Sequence, residues 1–374
     1  MRVTYVAAGA AGMICGSCLR DNALAAELRR QGCEVIFVPV YTPITTEAED
    51  ASDDALLFGG VSVYLEQKSR LFRRMPKFLL RWLDNPRLVR RLTAKRSLEV
   101  EAAQLGELTL SMLRGEHGNQ RAEVERAVQW LRSEARPDLV NLTNLLIAGF
   151  VPALKRELGV PVLVTLQGDD LFLDELTEDH RGQVLTELRR LAREVDGFVT
   201  FSEAYASAMA ELLEAPREKF HLVPLGIDTR DFAGLQRESG RPLTVGYFGR
   251  ICAEKGFGQI IDAFVLLHRE HGMENLRLKA GGWLGQGDQK FFESQVAKLG
   301  DAGLAEQFDH IGAPDRDGKL EFFRSIDVFS MPAVYREPKG LTILEALASG
   351  VPVVQPEHGA FPEMLEETGG GILV

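Results

Sequence analysis

Residues 335–352 read YREPKGLTILEALASGVP, and this stretch decides the fold class. Its leucines recur at the spacing of one helical face, and Gly340 precedes them at the position where a helix would begin. The first amides of that helix, at Leu341 and Thr342, would lack intrahelical acceptors, so they would attract phosphate. A loop, a helix and then the apolar start of a strand form the repeating unit of a parallel α/β sheet.

Two glutamates bracket this predicted phosphate site. Glu345 lies about one turn into the helix, where its carboxylate would accept hydrogen bonds from a diol such as ribose, and Glu337 on the preceding loop would do so for a second polyol. Carboxylates on both sides of a phosphate site suit a ligand with sugars on both sides of a diphosphate, which is the shape of a nucleotide-sugar. The alternative is that both are solvated helix-end residues favoured by the helix dipole.

A second stretch carries the positive charge that such a ligand requires. Residues 245–256 read VGYFGRICAEKG, which predicts a strand followed by a loop that holds Arg250 and Lys255. Open α/β sheets bind ligands at the carboxyl ends of their strands. Two cations there would hold a diphosphate and stabilise its charge as it leaves. Taken alone, the stretch also fits an ordinary exposed Arg and Lys beside Glu254.

Strand and helix patterns alternate along the whole chain, which indicates an α/β fold. A polar segment, 228–242, separates two such series, so we predict Rossmann-like, doubly wound domains over 1–228 and 240–374 that face a central cleft. The strands are predicted at 2–7, 34–40, 139–142, 160–166, 197–201, 243–248, 276–280, 308–311, 327–331 and 352–355. Helices are predicted at 22–31, 181–194, 258–267 and 319–325 and from Gly340 onward.

Composition excludes several classes of protein. The net charge of −11 argues against binding to a nucleic-acid backbone, and four cysteines in 374 residues are too few for a disulfide framework. The sequence shows no signal peptide and no apolar run of membrane-spanning length, so the expected compartment is the cytoplasm.

Residues 68–96 are strongly basic, with aromatic and leucine side chains between the lysines and arginines. They lie within a predicted helical excursion over about 66–133. Such a stretch would suit an anionic membrane surface or a phosphorylated acceptor, which would place the protein peripherally at the inner membrane face. Pro76 and Pro86 favour the alternative, a solvated set of short helices whose aromatics lie in the core.

Residues 245–256 and 337–354 (EPKGLTILEALASGVPVV) together resemble the retaining glycosyltransferases of the GT-B fold known as family 4, or group 1. The likeness extends to 138–170 and 220–232, and therefore to nearly the whole chain. It implies that Arg250 and Lys255 contact the donor diphosphate, Glu345 the nucleotide ribose and Glu337 the transferred sugar. It also implies that helices following Val374 in other members are lacking from the C-terminal domain.

Gln167 departs from this resemblance, because many members have histidine in its place. A glutamine can hydrogen-bond a sugar but cannot exchange a proton near neutral pH. Asp169 and Asp170 follow at once and would orient an acceptor hydroxyl. The catalytic candidates are therefore Gln167, Asp169, Asp170 and Glu337.

The glycine-rich stretch after the first strand is predicted to be an acceptor-side loop, in which Gly9, Gly12 and Gly16 let the backbone approach a ligand. Cys15 and Cys18 form a lone C-x-x-C, for which loop packing is preferred over zinc or redox chemistry. Residues 315–317 (DRD) are interpreted as a helix-capping turn. We expect no bound metal and no cofactor other than the substrate.

These features predict a retaining hexosyltransferase that moves a sugar from a nucleotide-diphosphate sugar to a hydroxyl acceptor, either a sugar or a lipid-linked one. Its work would belong to carbohydrate or glycan biosynthesis. A non-catalytic nucleotide-sugar-binding protein and a sugar-nucleotide 2-epimerase of the same fold are the alternatives.

Overall fold

The structure is a computed structural model that describes residues 1–9, 16–40, 50–52, 102–232, 234–235 and 240–374. The chain divides into two compact units, Met1–Pro224 and Leu225–Val374. Most of the predicted basic excursion, including the stretch 68–96, lies outside the described residues, as does Gly12. The described part of that excursion, from residue 102 onward, is helical.

Within the described residues, the first unit contains one parallel six-stranded sheet in the order β2-β1-β3-β4-β5-β6. Its strands are β1 (Arg2–Ala7), β2 (Glu34–Pro39), β3 (Leu139–Leu142), β4 (Val162–Thr165), β5 (Gly197–Thr200) and β6 (Phe220–Leu222). Its helices are α1 (Gly16–Arg30), α2 (Ala102–Leu113), α3 (Arg121–Trp130), α4 (Val151–Leu158), α5 (Asp169–Asp174), α6 (Glu178–Glu194) and α7 (Glu203–Leu213). Short 3₁₀ turns at Gly115–His117, Leu145–Phe150 and Arg217–Lys219 and a π turn at Leu131–Ala135 complete this unit.

The second unit has its own parallel sheet, in the order β12-β11-β10-β7-β8-β9. Counted from its first strand, this is the 3-2-1-4-5-6 order of doubly wound nucleotide-binding folds, read from the other edge. The strands are β7 (Thr244–Phe248), β8 (Arg277–Gly281), β9 (Phe308–His310), β10 (Val328–Phe329), β11 (Val353–Gln355) and β12 (Gly371–Leu373). The helices are α8 (Phe257–His271), α9 (Gln289–Asp301), α10 (Arg316–Arg324), α11 (Leu341–Ala348) and α12 (Phe361–Thr368), with a 3₁₀ turn at Ala305–Gln307.

Each sheet is the centre of its own hydrophobic core. In the first unit, Val140, Val162 and Val164 are fully buried, as expected for parallel strands with helices on both faces. In the second unit the core is rich in phenylalanine, and Phe248, Phe322 and Phe323 pack ring against ring. Gly246 on β7 makes room for this packing, because a Cβ there would lie 2.4 Å from Ile326 Cδ1.

The predicted α/β class and the two doubly wound sheets are confirmed. Strand β3 coincides with its predicted range, whereas β6 and β12 were not predicted. Helix α1 begins at Gly16 rather than at the predicted Asn22, so the prediction that Gly16 lies in a loop is wrong. Over the described residues, no helix combines the length and apolarity needed to cross a membrane.

Candidate functional site

The second sheet has a switch point where strands that are distant in sequence become neighbours. Strands β7 and β10 pair directly, while the chain leaves β7 toward β8 on the other side. Ligands of open α/β sheets bind beyond the carboxyl ends of the strands at such a point. The loop after β7 carries Arg250 and Lys255, and the loop after β10 carries Glu337. The fold therefore brings the two predicted motifs to one edge of one sheet.

The two loops are in backbone contact. The Val334 amide donates to the Glu254 carbonyl at 2.9 Å, and a Cβ on Gly256 would lie 1.8 Å from the Pro332 carbonyl oxygen. Gly256 also has a φ of 77°, in the left-handed region that favours glycine. The glycine after Lys255 is therefore required by the close approach of the two loops.

Lys255 and Glu337 form an ion pair across these loops, and the Tyr335 hydroxyl donates to the same Glu337 Oε2 at 2.5 Å. Glu337 is only 3% exposed. Burial alone would raise the pKa of the Glu337 carboxyl, but the positive charge and hydrogen bond of Lys255, together with the Tyr335 hydroxyl, lower it below its usual value. Glu337 is therefore an ionised acceptor at neutral pH.

Arg250 lies on the same loop as Lys255 but is more accessible. Its side chain is 48% exposed, and its guanidinium is 3.4 Å from Glu254 Oε2 and 4.0 Å from Asp288 Oδ2. Contacts this long and this exposed hold an arginine weakly. Arg250 is therefore positioned to exchange these partners for an anionic ligand.

Helix α11 begins as predicted. Gly340 precedes it with a φ of 119°, and the Ile343 and Leu344 amides already donate to the Gly340 carbonyl. In the part of the chain that the structure describes, no acceptor pairs with the amides of Leu341 and Thr342. These amides remain available to an anion at the helix N-terminus.

Glu345 on α11 pairs with a partner that was not predicted. Lys319 on α10 donates from Nζ to Glu345 Oε1 at 2.7 Å, and the two side chains are 4% and 11% exposed. Lys319 Nζ also lies 5.3 Å from the centre of the Phe248 ring, at the carboxyl end of β7. A lysine is rarely buried unless it is paired. Its position one helical turn before Phe322 and Phe323 is the sequence signal that could have revealed it.

Gln167 occupies the corresponding edge of the first sheet, just beyond β4. Its Nε2 donates to the Thr143 carbonyl at 2.9 Å and to Asp21 Oδ2 at 3.0 Å. Asp21, on α1, is 1% exposed and also accepts a hydrogen bond from Arg20 at 2.8 Å. Burial raises the pKa of the Asp21 carboxyl in spite of Arg20. In the described part of the chain Gln167 Oε1 is buried without a hydrogen-bond donor.

The two aspartates that follow Gln167 make internal contacts. Asp169 is 3% exposed, and its two carboxylate oxygens accept from the backbone amides of Leu145 and Gln167 at 3.2 and 3.1 Å. Asp170 accepts from the Tyr205 hydroxyl at 2.7 Å, and that hydroxyl accepts from the Gly168 amide. Asp169 thus fixes the start of α5, and the predicted roles of Asp169 and Asp170 in orienting an acceptor stay predictions.

The remaining predictions have mixed outcomes. Gly9 has a φ of 85° and follows β1, as a loop glycine should. Asp315 caps helix α10, since its side chain accepts from the Gly318 amide at 3.0 Å, which confirms the predicted capping turn. The described residues contain no group of three or more His, Cys, Asp or Glu side chains that would hold a metal ion.

Comparison with protein families covers both units. Residues 21–226, which are more than half of the chain, match the family model described as glycosyl transferase 4-like domain. Residues 230–374 match the model described as glycosyl transferases group 1. Glycogen synthase of Mycobacterium tuberculosis is 29% identical over 238 residues, which are 61% of this chain and 54% of that protein. Lipopolysaccharide core biosynthesis mannosyltransferase LpsB of Rhizobium meliloti is 35% identical over 137 residues, 33% of this chain and 35% of that protein. The chain thus spans about half the length, or less, of these curated relatives.

Solved structures agree on the fold. Anabaena HepE in complex with UDP has a TM-score of 0.65 at 17% identity, covering 100% of this chain and 85% of that one. Sucrose-phosphate synthase from Thermosynechococcus elongatus has a TM-score of 0.67 at 14% identity, covering 100% and 86%. The two sheets, the residues at their edges and the family matches agree: this chain belongs to the group 1, glycosyl transferase 4-like family of GT-B glycosyltransferases.

Proposed function

We propose that this chain is a retaining hexosyltransferase that moves a sugar from a nucleotide-diphosphate sugar to a hydroxyl acceptor. The observation that carries the proposal is the meeting of Lys255 and Glu337 at the switch point of the second sheet. The amides of Leu341 and Thr342, which have no acceptor among the residues that the structure describes, begin the helix that follows Glu337 in the same unit. Groups that bind anions thereby lie on the same sheet edge as an ionised carboxylate that can accept hydrogen bonds from a sugar.

In this proposal Arg250, Lys255 and the first amides of α11 hold the donor diphosphate. Negative charge grows on the diphosphate as the bond to the sugar breaks, and fixed cations and amide dipoles stabilise that charge. Glu345, held by Lys319, accepts from the ribose hydroxyls, and Glu337 accepts from the transferred sugar. Side-chain cations thus supply the positive charge that a metal ion supplies in other enzymes. We therefore expect added EDTA to leave the rate of sugar transfer unchanged.

Retention follows if the acceptor attacks from the face that the diphosphate leaves. The departing phosphate oxygen then takes the acceptor proton, so the pair of carboxylates used by glycosidases is not required. Gln167 would hydrogen-bond a hydroxyl group through its amide and transfer no proton. The anomeric configuration of the transferred sugar in the glycoside product, read by proton NMR and compared with that of the donor, tests retention.

The proposed acceptors include more than one chemical class. The names of the relatives include a polysaccharide synthase and, from Mycobacterium leprae, a phosphatidyl-myo-inositol mannosyltransferase, so both sugar and lipid-linked acceptors belong in an assay. The net charge of −11 argues against nucleic acid as a binding partner. We propose a cytoplasmic enzyme. Residues 68–96, which lie outside the described part, are the candidates for peripheral contact with a membrane.

The donor site can be tested by thermal stabilisation with a panel of UDP-, GDP- and ADP-sugars. A ligand at 100 times its dissociation constant adds about 2.7 kcal/mol to the unfolding free energy. We expect one nucleotide family to stabilise the wild type and to lose this effect in Glu345→Ala. The matched control is Glu366→Ala, which removes an exposed glutamate of the same unit and should respond as the wild type does. Equal stabilisation of all three proteins would reject the site.

A non-catalytic nucleotide-sugar-binding protein is the second candidate, and Gln167 is the observation that favours it. Its amide nitrogen is held by Asp21 and the Thr143 carbonyl, and a glutamine cannot exchange a proton. Binding of a nucleotide-sugar without release of the nucleotide, across polysaccharide, lipid-linked and small-sugar acceptors, would favour this candidate over the transferase.

A further inference from the structure

The side chain of Tyr335 contacts both members of the Lys255–Glu337 pair. Its hydroxyl donates to Glu337 Oε2 at 2.5 Å, and Lys255 Nζ lies 4.9 Å from the centre of its ring. The hydroxyl is a neutral donor, since burial and the Glu337 charge raise the pKa of Tyr335 above its usual value. One buried carboxylate oxygen therefore receives two donors, a cation and a phenol.

The two members of the ion pair differ in their freedom to move. The Glu337 side chain is 4% exposed, whereas that of Lys255 is 24% exposed. The Glu337 backbone is fixed as well, because its carbonyl accepts from the Ala360 amide at 2.8 Å. A Cβ on Gly359 would lie 2.6 Å from Glu337 backbone atoms, so the chain is closely packed there. If the pair opens, it is Lys255 that moves.

A diphosphate bound by Lys255 would compete with Glu337 for its ammonium group. In the proposed function Lys255 binds the diphosphate, whereas in the structure its ammonium group forms an ion pair with Glu337. Removing the cation from a buried carboxylate is costly, because the charge is then left without its partner. Lys339 adds positive charge near Glu337, but the structure gives Glu337 one further side-chain donor to the same oxygen, the Tyr335 hydroxyl.

We propose that Tyr335 is a positioning residue: its hydroxyl keeps Glu337 hydrogen-bonded when Lys255 transfers to a ligand diphosphate. This inference rests on the proposed function for the ligand. The contact between Tyr335 and Glu337 exists without any ligand, so the two can be tested separately. The Glu337 carboxylate would then stay in position to accept a hydrogen bond from the sugar while Lys255 binds the phosphate.

The ligand-free test uses Lys255→Met to imitate the state in which the lysine has left. Tyr335→Phe keeps the ring and removes only the hydroxyl. We expect it to lower Tm by about 2–4 °C in the wild-type background and by at least about twice as much in Lys255→Met, because the hydroxyl is then the main donor to a buried charge. In the Lys255→Met, Glu337→Gln background the loss should return to the smaller value, since no charge remains.

The ligand test compares UDP, GDP and ADP with the corresponding nucleosides on the wild type and on Tyr335→Phe. We expect the variant to bind the preferred nucleoside diphosphate about tenfold more weakly and its nucleoside equally well, because only the diphosphate requires Lys255. This arm uses the conservative variant alone, so it stands even if Lys255→Met does not fold.

The outcomes separate the two claims. Equal Tm losses in all three backgrounds, or equal losses of affinity for nucleoside and diphosphate, would overturn the role of Tyr335. If no nucleoside diphosphate binds the wild type while the Tm losses differ as expected, the support of Glu337 by Tyr335 holds and the proposed function fails.

Discussion

Buried carboxyl groups near the carboxyl ends of the strands have different partners in the two units. In the second unit each buried glutamate faces a lysine, Glu337 with Lys255 and Glu345 with Lys319. In the first unit the buried Asp21 is shared between Arg20 and the neutral amide of Gln167. The pKa of Glu337 is lowered and that of Asp21 is raised.

The proposed function gives the two sets of side chains different roles. Ionised, lysine-paired carboxylates are strong acceptors of hydrogen bonds from hydroxyl groups. The first unit instead offers a neutral amide held in one orientation, with its oxygen buried and lacking a donor in the described part of the chain. A group of that kind recognises a hydroxyl without moving a proton. The comparison can be challenged by removing one charge at a time.

The largest effect is expected from Lys319→Met. The variant leaves Glu345 as a buried carboxylate without its lysine, and removing one partner of a buried ion pair costs about 3–5 kcal/mol. Urea unfolding of the variant and the wild type measures this loss. The matched control is Lys298→Met, whose pair with Asp262 is 46% and 63% exposed and should contribute less than about 1 kcal/mol. Similar losses in both variants would refute the importance of the buried pair.

A smaller loss is expected from Arg20→Met in the first unit. Arg20 and Asp21 are 9% and 1% exposed, so the pair is as buried as the one between Lys319 and Glu345. Asp21 already has a raised pKa, so it can take up a proton when Arg20 is removed and avoid the cost of an unpaired charge. We expect a loss of about 1–3 kcal/mol at pH 7, decreasing toward pH 5. A loss equal to that of Lys319→Met, with no dependence on pH, would contradict the comparison.

The smallest expected effect is on the pH dependence of stability, to which Glu337 and Asp21 should contribute with opposite signs. Because the folded-state pKa of Glu337 is lowered, its carboxylate adds stability above the unfolded-state pKa, and this stability is lost as pH falls through the folded-state pKa. Asp21 has a raised pKa, so its contribution is present at low pH and is lost as pH rises through the folded-state value. The stability advantage of the wild type should therefore fall on acidification relative to Glu337→Gln and rise relative to Asp21→Asn.

Denaturant unfolding at a series of pH values, with each variant subtracted from the wild type, measures these two slopes. Slopes of the same sign would mean that the two carboxyl groups lie in similar electrostatic environments, which would remove the basis of the comparison.

The elements with strong local patterns were predictable from sequence. Strand β3 is a short apolar run with clear ends, and the start of α11 is marked by Gly340. Strands β6 and β12 are partly exposed edge strands of three residues and were missed, whereas β9, which is equally short and also at a sheet edge, was predicted. Such strands are formed by pairing with a neighbour rather than by their own periodicity.

The site was predictable where its residues are close in sequence. The spacing of Glu337 and Glu345 around one helix start is a local pattern, and so is the order of Arg250 and Lys255 after a strand. The partners of these residues were not predictable in the same way. Asp21 meets Gln167 across 146 positions and Lys319 meets Glu345 across 26, so only the sheet order brings them together.

The central claim is that a nucleoside diphosphate binds at the switch point of the second sheet. Hydrogen–deuterium exchange of the full chain with UDP, GDP and ADP tests it most directly, because the amides of Leu341 and Thr342 lack acceptors in the described structure. We expect the nucleotide that binds to slow exchange at residues 250–256 and 340–345. Protection confined to other segments, with these two unchanged, would contradict it.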